Sequence, residues 1–161
     1  PDITLPGDPY PGYHAMAVTA CMGHGDAKIV AELPAAFDPS KILFVGLRNW
    51  ERGEIKARQH QYGIKHLTPE EVAADSDALR AWLKSCGASK VVVHFDMDVL
   101  DPAEIVAAVG TDPDGMKIEA VIRVINDIAA EKELVGLTVA EPMPRTAIRL
   151  RDMLGRLPLL E

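Results

Sequence analysis

The 161-residue sequence predicts an α/β fold with a mainly parallel sheet, and three observations carry that expectation. Short β-branched and aliphatic runs alternate with segments of helical period, which is the pattern of strand–helix units whose strands lie parallel. Clusters of turn formers punctuate them, at Gly7-Asp8-Pro9-Tyr10-Pro11-Gly12 and again at Gly110-Thr111-Asp112-Pro113-Asp114-Gly115. Two of the apolar runs end in carboxylates, one in Asp96-Met97-Asp98 and one in Glu141. Ligands of open α/β sheets collect at the carboxyl ends of strands, so these acids fall where a site belongs.

Taken in order, Pro1 to Pro6 reads as the end of a strand entering the first loop. Residues 13–22 have helical composition, and Gly23-His24-Gly25 stops them. A short apolar strand spans residues 41–48, followed by a helix that runs to about Tyr62. Residues 63–67 form a short, edge-like strand. Thr68-Pro69-Glu70-Glu71 then supplies an N-cap, a proline at the first helical position and first-turn acids. That predicts one helix continuing to about Ser85, with Val72, Leu79, Trp82 and Leu83 as its apolar stripe and Gly87 at its end. Val91-Val92-Val93-His94-Phe95 has the composition of a buried central strand. Residues 117–132 form a strong helix with Ile118, Val121, Ile122, Ile125 and Ile128 on one face. Residues 134–141 are a last buried strand ending in Glu141. A final helix over 145–154 carries Arg145, Arg149 and Arg151 on a solvated face.

Composition narrows the function classes. With 48% hydrophobic and 25% charged residues, the chain has the make-up of one ordinary globular domain over residues 1–161. A net charge of −7 gives no basic footprint for nucleic acid or an anionic membrane. No apolar run approaches the ~18 residues of a membrane span. Cys21 and Cys86 fit no zinc or CxxC spacing, so two reduced thiols in a cytoplasmic protein are expected.

The chemistry concentrates at Asp96 and Asp98. Residues two apart on an extended chain share a face, where two carboxylates repel and resist desolvation unless a cation joins them. An all-oxygen donor set suits manganese, magnesium or calcium. The residues alone also allow one aspartate to cap the next turn and the other to be solvated, and a DxD pair by itself favours that reading. His94, two positions before Asp96, reads as a hydrogen-bonded core histidine, and His60 and His66 do not read as ligands.

Phe95-Asp96-Met97-Asp98-Val99-Leu100-Asp101-Pro102 resembles the second metal motif of the arginase/agmatinase (ureohydrolase) family. The resemblance implies a three-layer α/β/α fold, of which residues 1–161 are the C-terminal portion of one domain. It also implies a site for two Mn2+ ions, whose activated hydroxide attacks a guanidino substrate such as arginine or agmatine and releases urea. Pro1-Asp2 looks like the close of the family's Asp-Ala-His-x-Asp motif, making Asp2 a third metal ligand here with Asp96 and Asp98. His14 matches the family's proton-shuttling histidine, although Ala15 stands where glycine is usual. The stretch around Asn49, Glu51 and Glu54 is similar to the family's substrate-holding acids, with Asn49 replacing an aspartate and Glu51 a shorter acid. These two glutamates are read equally well as first-turn acids of a helix. Glu141-Pro142 resembles the family's guanidinium-binding glutamate, which fits the preference of planar guanidinium for a carboxylate partner. Thr4 joins Asn49, Glu51, Glu54 and Glu141 in the implied substrate-binding set, with His14 and Glu141 as the catalytic pair. A small guanidino substrate and a homo-oligomer follow from the same resemblance. The rival expectation is a non-catalytic fragment that binds another chain or a single ion, because the remaining ligands of the motif would stand before Pro1.

Overall fold

The computed structural model describes residues 1–10, 12–143 and 147–160 and separates them into two units, Pro1–Phe44 with Asn49–His66 and Val45–Arg48 with Leu67–Glu161. Pro11 of the first turn cluster and Arg145 of the last helix lie outside the described residues.

The first unit closes around Ile3, Met22, Ile55 and Ile64, with Val18, Ile42, Phe44, Trp50 and Tyr62 packed against them. Residues 1–5 take no regular structure, where the end of a strand was expected. They are held instead by side chains and turns. Thr4 N and Oγ1 both donate to the Ala15 carbonyl, at 2.9 and 2.8 Å, and Thr19 Oγ1 donates to the Thr4 carbonyl at 2.6 Å. A 3-10 turn, His14–Met16, runs into α1 (Ala17–Cys21), and Gly23 ends it with φ +83°. Helix α2 (Ala27–Glu32) has no buried residue, so no apolar period announces it, and its start is set by the Asp26 cap on Lys28 N at 2.8 Å. Strands β1 (Leu43–Val45) and β2 (Lys65–Leu67) pair as a sheet of their own, with α3 (Gly53–Tyr62) between them in sequence. Arg58 grips the Asp8 carboxylate with both Nη atoms, at 2.6 and 3.1 Å, and also donates to the Ile3 carbonyl at 2.9 Å. That grip holds the Asp8 carboxyl below the usual carboxylate range.

The second unit is a β–α–β unit. Strand β3 (Lys90–Asp96) and strand β4 (Glu133–Ala140) run parallel, joined through α5 (Ile118–Glu131), with register from Lys90↔Glu133 to Asp96↔Ala140. Helix α5 buries Ala120, Val121, Ile122, Val124, Ile125 and Ile128. Each large aliphatic side chain so buried contributes about 1.5–3 kcal/mol, which makes this face the main stabiliser of the unit. Helix α4 (Asp77–Ser85) lies beside α5, linked by Arg80 Nη2 to Asp127 Oδ1 at 2.8 Å. Helix α6 (Ala147–Leu154) buries Leu150 and Met153 and leaves Ile148 exposed.

Three expectations change. The single helix over 68–85 is two pieces, a 3-10 turn at Glu70–Val72 and α4. Thr68 and Glu71 do form a reciprocal capping box, with Thr68 N to Glu71 Oε2 at 2.7 Å. The helix then breaks because Arg123, from α5, takes the carbonyls of Val72, Ala73 and Asp75. Asp75 also takes the amide of Asp77 at 2.9 Å, which starts α4 afresh. The one mainly parallel sheet expected is, among the described residues, a parallel β3–β4 pair and a separate β1–β2 pair. Finally, β3 is not buried on both faces, since Phe95 is its one buried residue and Val92 is 57% exposed. A β-branched run reports fitness for a pleated surface, and says nothing of how many strands flank it.

Candidate metal centre

Strand β3 ends at Asp96, and the chain turns at once into a 3-10 turn, Met97–Val99. Met97 and Leu100 are 1% and 3% exposed, so the turn is anchored by its apolar residues. Its acids are left on the outer side, where Asp96 Oδ1 accepts the Asp98 amide at 3.3 Å. The two carboxylates therefore meet through a turn, where strand alternation had been the expected cause. On the neighbouring strand, β4 ends at Ala140, the register partner of Asp96. Glu141 follows with φ +58°, a left-handed conformation that costs a non-glycine residue about 1–2 kcal/mol.

The three carboxylates converge as a result. Asp96, Asp98 and Glu141 each offer an oxygen within 4.8 Å of the other two. Oxygens that share one ion at about 2.0–2.6 Å stand at most about 4–5 Å apart, so this hard donor set fits a divalent cation of the manganese, magnesium or calcium kind. Among the described residues, Asp96 and Glu141 have no ion pair to offset their charge. Asp101, three residues past Asp98, is different. Its carboxylate accepts from Lys117 Nζ at 2.6 Å and from the Ala103 amide at 2.9 Å, which holds its carboxyl below the usual range and raises the Lys117 ammonium.

The turn is braced from two sides. Met116 N donates to Val99 O at 2.8 Å and Asp101 N to Met116 O at 2.9 Å, tying it to the segment that leads into α5. Gly46, at φ +84°, lies so close that an added Cβ would stand 2.4 Å from Val99 Cγ2 and 2.7 Å from Met116 Sδ. Arg48, two residues on, donates to the carbonyls of Asp98, Asp112 and Pro113 at 3.1, 2.6 and 2.8 Å. Gly110 abuts the Asp98 side chain, its would-be Cβ 3.0 Å from Oδ2. Arg48 was not singled out from sequence. The available signal was its position, a cation just past an apolar strand whose carboxyl end faces a ligand site.

The other expected residues lie in the first unit, apart from His94. His94 is hydrogen-bonded as expected, Nδ1 to Thr138 Oγ1 at 2.7 Å, but it is exposed and so not a core residue. Its strand partner and its exposure place it on the Asp96 face of β3. Thr4 is 2% exposed, its hydroxyl donating to the Ala15 carbonyl. His14 is exposed, with Nε2 3.0 Å from Tyr10 OH, and Gly12 lies where a Cβ would come within 2.7 Å of its ring. Asn49, Glu51 and Glu54 are exposed, and Glu54 Oε1 is 3.0 Å from Arg52 Nε. Asp2 is half-buried, its carbonyl accepting Val18 N at 3.0 Å. Among the described residues, no helix is long and apolar enough to cross a membrane.

Comparison with known proteins gives the family of the chain. The model of the arginase family matches residues 3–152, nearly the whole chain. The chain belongs to the arginase family. It is 27% identical over 150 residues to an arginase of Entamoeba histolytica, covering 90% of this chain and 50% of that protein. The crystal structure of Entamoeba histolytica arginase with L-ornithine superposes with a TM-score of 0.77 at 23% identity, over 90% of this chain and 50% of that one. Bacillus cereus arginase gives 0.78 at 20% identity, over 97% and 58%. The fold is therefore the α/β fold of the arginases. This chain spans about half the length of the arginases it matches.

Proposed function

We propose that this protein is a manganese-dependent hydrolase of guanidino compounds that releases urea and an amine. The observation that carries the reading is the convergence of Asp96, Asp98 and Glu141 at the carboxyl ends of two parallel strands, in a chain of the arginase family. Bound manganese would supply a water acidified toward neutrality. Asp96 and Asp98 are ligands, with Asp2 as a further one. Glu141 pairs with the planar guanidinium through parallel N–H···O bonds and presents its carbon for attack. Water oxygen adds to that carbon, the C–N bond to the amine breaks, and His14 delivers the proton the leaving amine needs. Asn49, Glu51 and Glu54 hold the far end of the substrate. A homo-oligomer in the cytoplasm completes the proposal, in keeping with unpaired Cys21 and Cys86.

The test is urea release by the full-length, manganese-loaded protein over a panel of guanidino compounds. Tight manganese binding with no urea from any of them would sink the reading. The shared half-length of the match favours a second one, that residues 1–161 alone act as a binding module. Assaying that segment beside the longest native chain containing it separates the two, since turnover confined to the longer chain assigns the chemistry to the pair.

A further inference from the structure

We infer that Arg48 is a positioning residue for the metal ligand Asp98, acting through the loop it ties down. The inference rests on the metal reading of Asp96 and Asp98 given above. Its three acceptors are not scattered. One is the carbonyl of Asp98 itself, and the other two, Asp112 and Pro113, belong to the loop whose Gly110 abuts the Asp98 carboxylate. Among the described residues, no backbone–backbone hydrogen bond involves residues 109–115. The Arg48 guanidinium is therefore what fastens this loop to the turn. Asp114, in the same loop, has φ +61°, a conformation that needs support from its surroundings.

The placement of Arg48 has its own cause. Strand β1 ends at Val45, and Gly46 takes a left-handed conformation directly beneath Val99, where no side chain fits. The chain thus runs close against Val99 at Gly46 and brings Arg48 to the carbonyls of Asp98, Asp112 and Pro113. A guanidinium suits the task because its donors form a rigid planar fork that can serve three carbonyls at once. An ammonium at the same place is a compact point charge and reaches fewer. With the loop seated, Gly110 lies against the Asp98 carboxylate and limits its rotamers. With the loop released, Asp98 gains rotamers that point away from a shared ion. Groups that orient a metal ligand without touching the metal typically change affinity by about 10–100-fold when removed.

The experiment measures Mn2+ affinity in the full-length protein, by electron paramagnetic resonance of free Mn2+, for wild type, Arg48→Ala, Arg48→Lys, Gly110→Ala and Asp98→Asn. Urea midpoints of the metal-free proteins report folding separately. The expected result is a loss of about 10–100-fold for Arg48→Ala. Arg48→Lys should recover part of it, and Gly110→Ala should weaken binding with Arg48 intact because its methyl crowds the Asp98 carboxylate. If Arg48→Ala fails to fold, Arg48→Lys and Gly110→Ala decide. Wild-type affinity in folded Arg48 and Gly110 variants, with binding lost in Asp98→Asn, overturns the role of Arg48 alone. Equal Mn2+ binding by wild type and Asp98→Asn overturns the metal reading, and this inference with it.

Discussion

Removing the charge of Glu141 should make the metal-free protein more stable and leave it inactive. Three carboxylates lie within 4.8 Å of one another at this rim, two of them exposed. At that separation two unit charges repel by about 0.9 kcal/mol even with the full dielectric of water. Glu141→Gln removes the repulsion with Asp96, so stability should rise by about 0.9 kcal/mol at low ionic strength. With a urea slope of about 2 kcal/mol per molar, the midpoint should move up by about 0.5 M. Glu141→Gly should add about 1 kcal/mol more by relieving the left-handed backbone at φ +58°. Added salt should shrink the first gain and leave the second. The assay is urea denaturation in chelator, with and without 0.5 M salt as an added variable of about that order, beside urea release after manganese loading. Glu141→Gln should still bind manganese through its aspartate ligands yet lose turnover. Wild-type or lower stability of the metal-free variant would refute the crowding argument, and wild-type kinetics would refute the guanidinium role.

Further expectations concern the frame around the site. Asp8→Asn should destabilise the full-length protein by about 2 kcal/mol, because it weakens a charged, bidentate bond to Arg58. Asp8 is held below its ordinary value of 3.8, chiefly by that bond, so its contribution is present above pH 3.8 and fades as pH falls through the lower folded value. Denaturation midpoints of variant and wild type should differ at pH 6 and converge in strong acid; a gap that persists there contradicts the linkage. Gly46→Ala should cost about 2–4 kcal/mol, since it adds an overpacked methyl to a left-handed backbone position. A variant of wild-type thermal stability would mean that the β1 end does not sit under Val99 as described.

What was legible in the sequence is what depends on neighbours along the chain. Helix α5 announces itself through apolar residues at helical spacing, and β4 through a short apolar run that stops at a carboxylate. Asp96 and Asp98 stand out because acids seldom end a β-branched run without a purpose. What escaped reading depends on partners far away. Nothing near residue 74 says that Arg123 will take three carbonyls and break the helix there. Nothing near Thr4 says that its hydroxyl will be buried against Ala15, and nothing in the pattern around Val92 says that its face will be open. Arg48 is the same case, since its acceptors lie 50 to 65 residues on. Side-chain to backbone bonds of this kind leave no periodic trace.

The local rules also fail together in one place, and that is an argument about function in itself. Within one rim a strand gives way to a 3-10 turn, a glutamate adopts a left-handed backbone, and three acids crowd within 4.8 Å. Each is unfavourable by itself, and sequences optimised for stability alone avoid them. Among the described residues, no cation is paired with Asp96 or Glu141. Lys117 is committed to Asp101, and the bonds of Arg48 run to carbonyls. A positively charged ligand resolves all of it at once, because it turns the repulsion among the acids into attraction and makes the strained position of Glu141 useful for a second cation, the substrate guanidinium. Stability should therefore depend on the metal more steeply here than at a surface acid cluster, and manganese at 100 times its dissociation constant should add about 2.7 kcal/mol to the wild type. Asp98→Asn should lose that increment, a loss that a merely solvated trio of acids would not show.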